Sequence, residues 1–143
     1  MSVLSRLALA LLFILAGVAH FATPTSYFAI MPPYIPWPAA MVAVSGAAEI
    51  LGGFGVCFRS TRRAAGWWLI LLLIAVFPAN LQAISTGMVI GGNAVPAWML
   101  WARLPLQLLL IIWVWRTCLG RASRSPKWEL RSERGWKASH LRL

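Results

Sequence analysis

The segment from residue 45 to residue 55 reads SGAAEILGGFG, and the fold of the chain is organised around it. It lies within an apolar run from Ala39 to Phe58, which is long enough to cross a bilayer as one helix. On that helix the face of Glu49 also carries four small residues at i−4, i−3, i+3 and i+4, namely Ser45, Gly46, Gly52 and Gly53. A carboxylate on such a face points at other helices and needs a partner there, so Glu49 is a candidate functional residue.

Composition places the whole chain in the membrane class. Hydrophobic residues make up 60% of the 143 residues and charged residues only 11%, and the mean hydropathy is +0.74. A soluble domain of this length would have roughly a quarter of its residues charged. We therefore predict an all-α integral membrane protein, in which four crossings of about 20 residues each use most of the chain.

The net charge of +10 is concentrated at the ends of the predicted spans. Most of the 13 basic residues lie from Arg116 onward, and three more lie in the short segment from Arg59 to Arg63. This distribution follows the positive-inside rule, and no aromatic-and-basic recognition module accompanies it. We therefore predict a lipid bilayer as the partner, and no nucleic acid. Cys57 and Cys118 form no C-x-x-C pair, which favours a packing role for both.

Four apolar runs predict the helices of one transmembrane domain at 1–118, followed by a basic cytoplasmic tail at 119–143. The expected helix bounds are about 5–22, 39–58, 64–84 and 97–117. The first run also has the charge and length pattern of a secretory signal, but His20 is a poor occupant of a cleavage site, which favours a retained helix. The tail contains Trp128 and Trp136 among its basic residues. Two interpretations stay open: a short segment that lies on anionic lipid headgroups, or a tail that only sets the orientation of the protein.

The loops between the spans set the predicted orientation. Residues 23–38 carry five prolines and no charge, so we expect no continuous helix there, only one short helical turn in a loop over the mouth of the bundle. Residues 85–96 form a second charge-free loop, rich in glycine. Both loops are predicted outside and every basic segment inside. The chain is then a multi-pass protein of a bacterial-type cytoplasmic membrane, with both termini cytoplasmic.

Each predicted helix contributes a polar side chain to the outer half of the bundle. With a rise of about 1.5 Å per residue, Glu49 and Gln107 lie roughly 15 Å deep and Arg103 roughly 9 Å deep. His20 and Asn80 lie near the outer ends of the first and third helices. The predicted site therefore comprises His20, Glu49, Asn80, Arg103 and Gln107, with Gln82 as a further candidate.

Arg103 is the expected partner of Glu49, because a guanidinium can satisfy both carboxylate oxygens and an unpaired charge in hydrocarbon is costly. Two interpretations of this pair stay open. The pair fixes helix register and orientation, or it forms part of a site for a ligand, a proton or a redox partner. One histidine and one glutamate without a nearby thiol fall short of a metal-ligand set, so no metal site is predicted.

Four motifs in chain order resemble the DoxX-like family of small four-helix membrane proteins. They are GVAHF at 17–21, the glycine- and glutamate-containing stretch at 45–55, FPAN at 77–80 and RLPLQ at 103–107. The resemblance covers roughly residues 15–115, and the polar positions of the family correspond to His20, Glu49, Asn80 and Arg103. It implies a link to quinone-coupled sulfur oxidation or membrane redox complexes. Similarity to the MauE group implies a role in disulfide maturation. The chain has no C-x-x-C pair, which argues against that role.

The leading functional expectation is a non-enzymatic small-molecule-binding protein or accessory subunit of a respiratory complex, with an outward-facing polar pocket. No catalytic residue and no cofactor fingerprint is predicted, although a quinone headgroup or a small organic acid would suit these donors. One alternative is a quinone-linked oxidoreductase subunit in which Glu49 or His20 transfers protons. The other is a small transporter, which four helices support only in an oligomer. The sequence leaves the oligomeric state and the partner protein open.

Overall fold

A computed structural model describes residues 2–120, and these residues form a bundle of four long helices. The long helices are α1 (Val3–Ala22), α3 (Pro38–Cys57), α4 (Arg62–Thr86) and α5 (Ala97–Val114). A short helix, α2 (Pro24–Phe28), lies between α1 and α3. The two-residue strands β1 (Val89–Ile90) and β2 (Asn93–Ala94) pair in antiparallel fashion between α4 and α5.

Local chemistry sets the ends of the helices. The hydroxyl of Ser2 accepts the backbone N–H of Ser5 at 3.2 Å and caps α1. Pro38 occupies the first position of α3, where its missing N–H costs nothing. Gly87 ends α4 with a positive φ of 74°. Between β1 and β2, Gly91 and Gly92 have φ values of 56° and 83°, the left-handed geometry that a two-residue hairpin turn needs.

The four predicted helices are confirmed, with bounds that differ by at most a few residues. The loop at 23–38 forms one short helix, as expected. Two features were not predicted: the small hairpin at 89–94, and a π-helical turn over Trp115–Leu119 that continues α5. Together α5 and this turn form an apolar run of 23 residues. The predictions for the tail beyond Gly120, including Trp128 and Trp136, lie outside the described residues.

Glycines bring α3 close to both of its neighbours. A Cβ atom on Gly53 would lie 2.8 Å from the backbone oxygen of Ala10 in α1. A Cβ atom on Gly55 would lie 2.8 Å from the Cβ of Ala65 in α4. Without a hydrophobic force between helices in lipid, such close backbone approach supplies the van der Waals contact that holds a bundle together. The small residues of α3 therefore pack it inside its own bundle, as the sequence predicts.

Two apolar clusters occupy opposite ends of the bundle. The larger one joins all four long helices around Leu9, Val56, Leu69 and Val114, which are fully buried. Nearby, the indole N–H of Trp113 donates to the Ser5 hydroxyl at 2.9 Å and ties α5 to α1. The smaller cluster lies at the loop end and consists of Ile30, Ala83, Met88 and Leu100. It fastens both loops to α4 and α5.

The outer surface of the bundle is apolar. Along α1 the exposed side chains recur at helical spacing on one face, which comprises Leu4, Leu7, Leu11, Leu15 and Val18. All four long helices are long and apolar enough to cross a membrane, with mean hydropathies of 1.6 to 2.0. Apolar side chains on the outside and close packing inside are compatible with a multi-pass membrane protein.

The contact between α1 and α3 generates a first prediction. We expect Gly53→Ala to lower the free energy of unfolding by about 1–3 kcal/mol, because the added methyl group overpacks against the backbone of Ala10. Ala47→Leu enlarges an exposed residue of the same helix and serves as the control. Reversible unfolding by SDS, followed by circular dichroism, measures both variants. Equal stabilities of Gly53→Ala and wild type would contradict the close α1–α3 contact.

Candidate functional site

A cavity of about 270 Å³ lies inside the bundle between the two apolar clusters. Side chains from all four long helices and from both loops form its wall. Most of this wall is apolar, with residues such as Ile30, Leu73, Val76, Leu106 and Leu110. The cavity lies at the end of the bundle where the two charge-free loops meet, away from the arginine-containing turn between α3 and α4.

All five residues of the predicted site line this one cavity. His20 comes from α1, Glu49 from α3, Asn80 from α4, and Arg103 and Gln107 from α5. Residues from four helices, distant in sequence, therefore meet as the helical spacing predicts. Gln82 does not line the cavity, and its side chain forms no hydrogen bond within residues 2–120.

Asn80 and Gln107 form a satisfied chain of hydrogen bonds between α4 and α5. The Asn80 amide donates to the Gln107 Oε1 at 2.9 Å, and the Gln107 amide donates in turn to the backbone oxygen of Leu73. Leu73 lies five residues before Pro78, next to Ile74, whose carbonyl group loses its donor because proline has no N–H. The buried Gln107 therefore serves the joint between α4 and α5.

His20 connects α1 to the cavity and to the loop above it. Its Nδ1 lies 3.0 Å from the backbone oxygen of Ala16 and 3.6 Å from Oε2 of Glu49. The first contact favours the tautomer that carries the proton on Nδ1, because a carbonyl can only accept. The imidazole ring stacks on Tyr27 with 3.9 Å between ring centroids and 21° between planes. This stacking holds the short helix α2 over the cavity.

Glu49 is buried at the cavity wall, with an exposed fraction of 8%. Its Oε2 atom is inaccessible to solvent and has no hydrogen-bond partner within residues 2–120. A buried carboxylate oxygen without a donor costs more than an ordinary missing hydrogen bond. The carboxyl group of Glu49 is therefore incompletely bonded by the described part of the chain, although its side chain lines the cavity.

The expected direct pair between Glu49 and Arg103 is not formed in the structure. Both side chains line the cavity, but within residues 2–120 the ion-pair contact of Glu49 is with His20. The reason is the order of the helices: α3 packs against α1 and α4, whereas α5 packs against α4. The carboxylate consequently meets its neighbour on α1, and the cavity separates it from the guanidinium on α5.

Five cavity residues come from the loops and were not predicted as site residues: Tyr27, Ile30, Met31, Met88 and Ile90. Burial and the Glu49 carboxylate raise the pKa of Tyr27, while the Arg103 guanidinium opposes that shift. Tyr27 therefore lies within reach of both charges. The proline-rich loop contains several aromatic residues, and nothing in the sequence distinguished Tyr27 from the others. Within residues 2–120, His, Cys, Asp and Glu side chains form no group of three that could hold a metal ion.

The fold and the cavity define a class, a four-helix protein of membrane-spanning dimensions with a polar site between its helices. The chain belongs to the family described as "Domain of unknown function (DUF8561)", whose model matches residues 9–118. That match contains α3, α4 and α5, most of α1, and every residue of the predicted site. Comparisons with curated proteins and with solved structures find no match.

The Asn80–Gln107 chain generates a second prediction. Gln107→Leu removes two interhelical hydrogen bonds, which in membrane proteins are worth about 0.6 kcal/mol on average and up to about 1.7 each. We expect a loss of about 1–2 kcal/mol in the free energy of unfolding. Gln82→Leu is the matched control, since that side chain bonds to nothing in the described part of the chain. SDS unfolding of both variants measures the difference. Similar losses of unfolding free energy in the two variants would argue against the Asn80–Gln107 hydrogen bonds as the link between α4 and α5.

Proposed function

We propose that this protein is an integral membrane protein that binds a small molecule with a polar head and an apolar body in the cavity around Glu49. The observation that carries the proposal is the incomplete bonding of Glu49, which lines the cavity and whose buried Oε2 has no hydrogen-bond donor within residues 2–120. A protein group that serves only helix register is normally satisfied by other protein groups, as Gln107 is. A bound molecule would supply the donor that Glu49 lacks.

The size and lining of the cavity support a ligand of this kind. A volume of about 270 Å³ lies near the lower end of the roughly 300–1,000 Å³ typical of small-molecule sites. Such sites combine an apolar wall with a few convergent polar groups that orient the ligand. Here the convergent groups are Glu49, Arg103 and Tyr27, and the remainder of the wall is mainly aliphatic.

For the orientation, we propose that both termini are cytoplasmic and that the cavity faces outward. Both loops that line the cavity are free of charge, whereas Arg59, Arg62 and Arg63 lie at the opposite end of the bundle. Cytoplasmic loops carry the excess of lysine and arginine in multi-pass proteins. The membrane would accordingly be a bacterial-type cytoplasmic membrane.

The biological setting that we propose is an accessory role in a membrane redox or respiratory complex. It rests on the resemblance of four motifs to the DoxX-like family, at 17–21, 45–55, 77–80 and 103–107. A quinone headgroup or a small organic acid is the kind of ligand that this resemblance suggests. The polar groups of the cavity include both donors and acceptors, which suits either of them.

The binding function can be tested by filling the cavity. Ala79 lines the cavity, whereas Ala75, one turn earlier on α4, is exposed on the outer surface. We expect native mass spectrometry of wild-type protein from native nanodiscs to show one small-molecule adduct per chain. The adduct should persist in Ala75→Trp and disappear in Ala79→Trp, because the indole occupies its volume. A wild-type protein without an adduct, or an adduct that survives Ala79→Trp, would contradict binding in this cavity.

The orientation is tested by labelling single cysteines in a background with Cys57→Ala and Cys118→Ala. Tyr34 lies in the loop above the cavity with 73% of its surface exposed, and Arg59 is exposed in the turn at the other end. A membrane-impermeant maleimide should label Tyr34→Cys in intact cells and Arg59→Cys only after permeabilisation. The reverse pattern would show that the cavity end faces the cytoplasm.

A further inference from the structure

The cavity contains an acidic and a basic side chain that do not pair with each other. Glu49 on α3 and Arg103 on α5 both line it, and they do not reach ion-pair distance. Within residues 2–120, Arg103 forms neither an ion pair nor a side-chain hydrogen bond. Within residues 2–120, the ion-pair contact of Glu49 is with His20, whose Nδ1 also lies 3.0 Å from the Ala16 carbonyl oxygen. The cavity thus presents one acidic and one basic group, each without a full partner within residues 2–120.

This arrangement is costly in a membrane and informative about the ligand. A charged side chain among helices in lipid is normally paired, because the bilayer supplies no water to solvate it. A neutral ligand would leave both charges uncompensated, and a singly charged ligand would leave one of them. A ligand with two opposite charges compensates both at once, through charge-assisted hydrogen bonds that are about twice as strong as neutral ones.

Tyr27 shows that the two charges act on the same part of the cavity. Burial raises the pKa of the Tyr27 hydroxyl, the carboxylate of Glu49 raises it further, and the guanidinium of Arg103 opposes that shift. The ring also stacks on His20, which contacts Glu49. Glu49 and Arg103 therefore line the same part of the cavity, next to α2, and Tyr27 lines it from the loop side.

We infer that the ligand of this cavity is a zwitterion, whose ammonium group binds Glu49 and whose carboxylate or phosphate binds Arg103. This inference rests on the proposed binding function and specifies its ligand class, a zwitterion with an apolar body in place of the quinone or simple organic acid that the resemblance suggests. The aliphatic wall, which includes Val76 and Leu106, receives the apolar body of the same molecule. Asn80 is already committed to Gln107, so Glu49 and Arg103 supply the recognition.

The same chemistry comes from two sources in a membrane. A free aliphatic amino acid carries an ammonium group and a carboxylate on one carbon atom. The headgroup of phosphatidylethanolamine carries an ammonium group beside a phosphate, with acyl chains attached. Both place a hydrogen-bonding cation a few ångströms from an anion, and the experiment below has one arm for each source.

The first arm uses purified full-length protein in phosphatidylglycerol nanodiscs and three probes of one shape. L-Leucine has both charges, isopentylamine lacks the carboxylate and 4-methylpentanoate lacks the ammonium group. Isothermal titration calorimetry measures binding of each to the wild type. The second arm adds phosphatidylethanolamine to the nanodiscs and counts bound lipids by native mass spectrometry, with phosphatidylglycerol as the lipid that lacks an ammonium group.

If the ligand is a free amino acid, we expect the first arm to show one bound zwitterion per chain; if it is a lipid, we expect the second arm to show it. It should bind about 10- to 100-fold more tightly than the probe that lacks one charge, because each lost partner removes a charge-assisted hydrogen bond. Glu49→Gln should abolish the advantage conferred by the ammonium group and leave that of the anion intact. Arg103→Gln should do the opposite. Arg63→Gln, an exposed residue outside the cavity, serves as the charge control and should change neither.

The outcomes separate this inference from the proposed function. It is overturned if neither L-leucine nor phosphatidylethanolamine binds saturably, or if wild-type protein binds the singly charged probes equally well. That comparison uses wild-type protein, so it does not depend on the folding of the variants. If native mass spectrometry finds an adduct without an ammonium group that Ala79→Trp removes, the binding function stands and the zwitterion is wrong. A wild type with neither an adduct nor a bound probe overturns both.

Discussion

The close contact between α1 and α3 at Gly17 and Gly46 determines where the polar groups of this bundle lie. A Cβ atom on Gly46 would lie 2.8 Å from the Cβ of His20, and one on Gly17 would lie 3.1 Å from the Cβ of Glu49. The two glycines therefore bring the histidine and the glutamate side by side. In lipid this contact depends on van der Waals packing, because no hydrophobic force drives helices together there. Larger residues at these positions would separate the helices and the two side chains with them.

The same constraint explains why the bundle contains a cavity. The small residues of α3 face two directions, with Gly53 against α1 and Gly55 against α4. This makes α3 the shared neighbour of both, while α5 packs mainly on α4. Apolar side chains close the bundle at one end around Leu9 and Val56. At the other end polar residues are among those that face inward, and the loops cover the space that remains.

Much of this architecture could be predicted from the sequence, because apolar length and helical spacing are local properties. They gave the four helices to within a few residues and assigned all five predicted site residues to what proved to be one cavity. The partner of Glu49 could not be predicted in the same way. The depths along the helices suggest that Arg103 can reach Glu49. The order of the helices around the bundle decides the contact, however, and Glu49 contacts His20 on the adjacent helix instead. Tyr27 was missed because α2 acquires its position only through tertiary stacking.

The polar residues of the cavity differ in how many hydrogen bonds they form with other protein groups. This difference distinguishes residues that hold the helices together from residues that are available to a ligand. Gln107 and Arg103 lie one turn apart on α5, yet Gln107 uses both ends of its amide on α4 while Arg103 bonds to nothing within residues 2–120. A membrane interior penalises an unsatisfied polar group more than water does, so a side chain that serves only packing should be bonded like Gln107. Glu49 and Arg103 lack such bonds on facing helices, and a ligand that carries both complementary charges removes both penalties together.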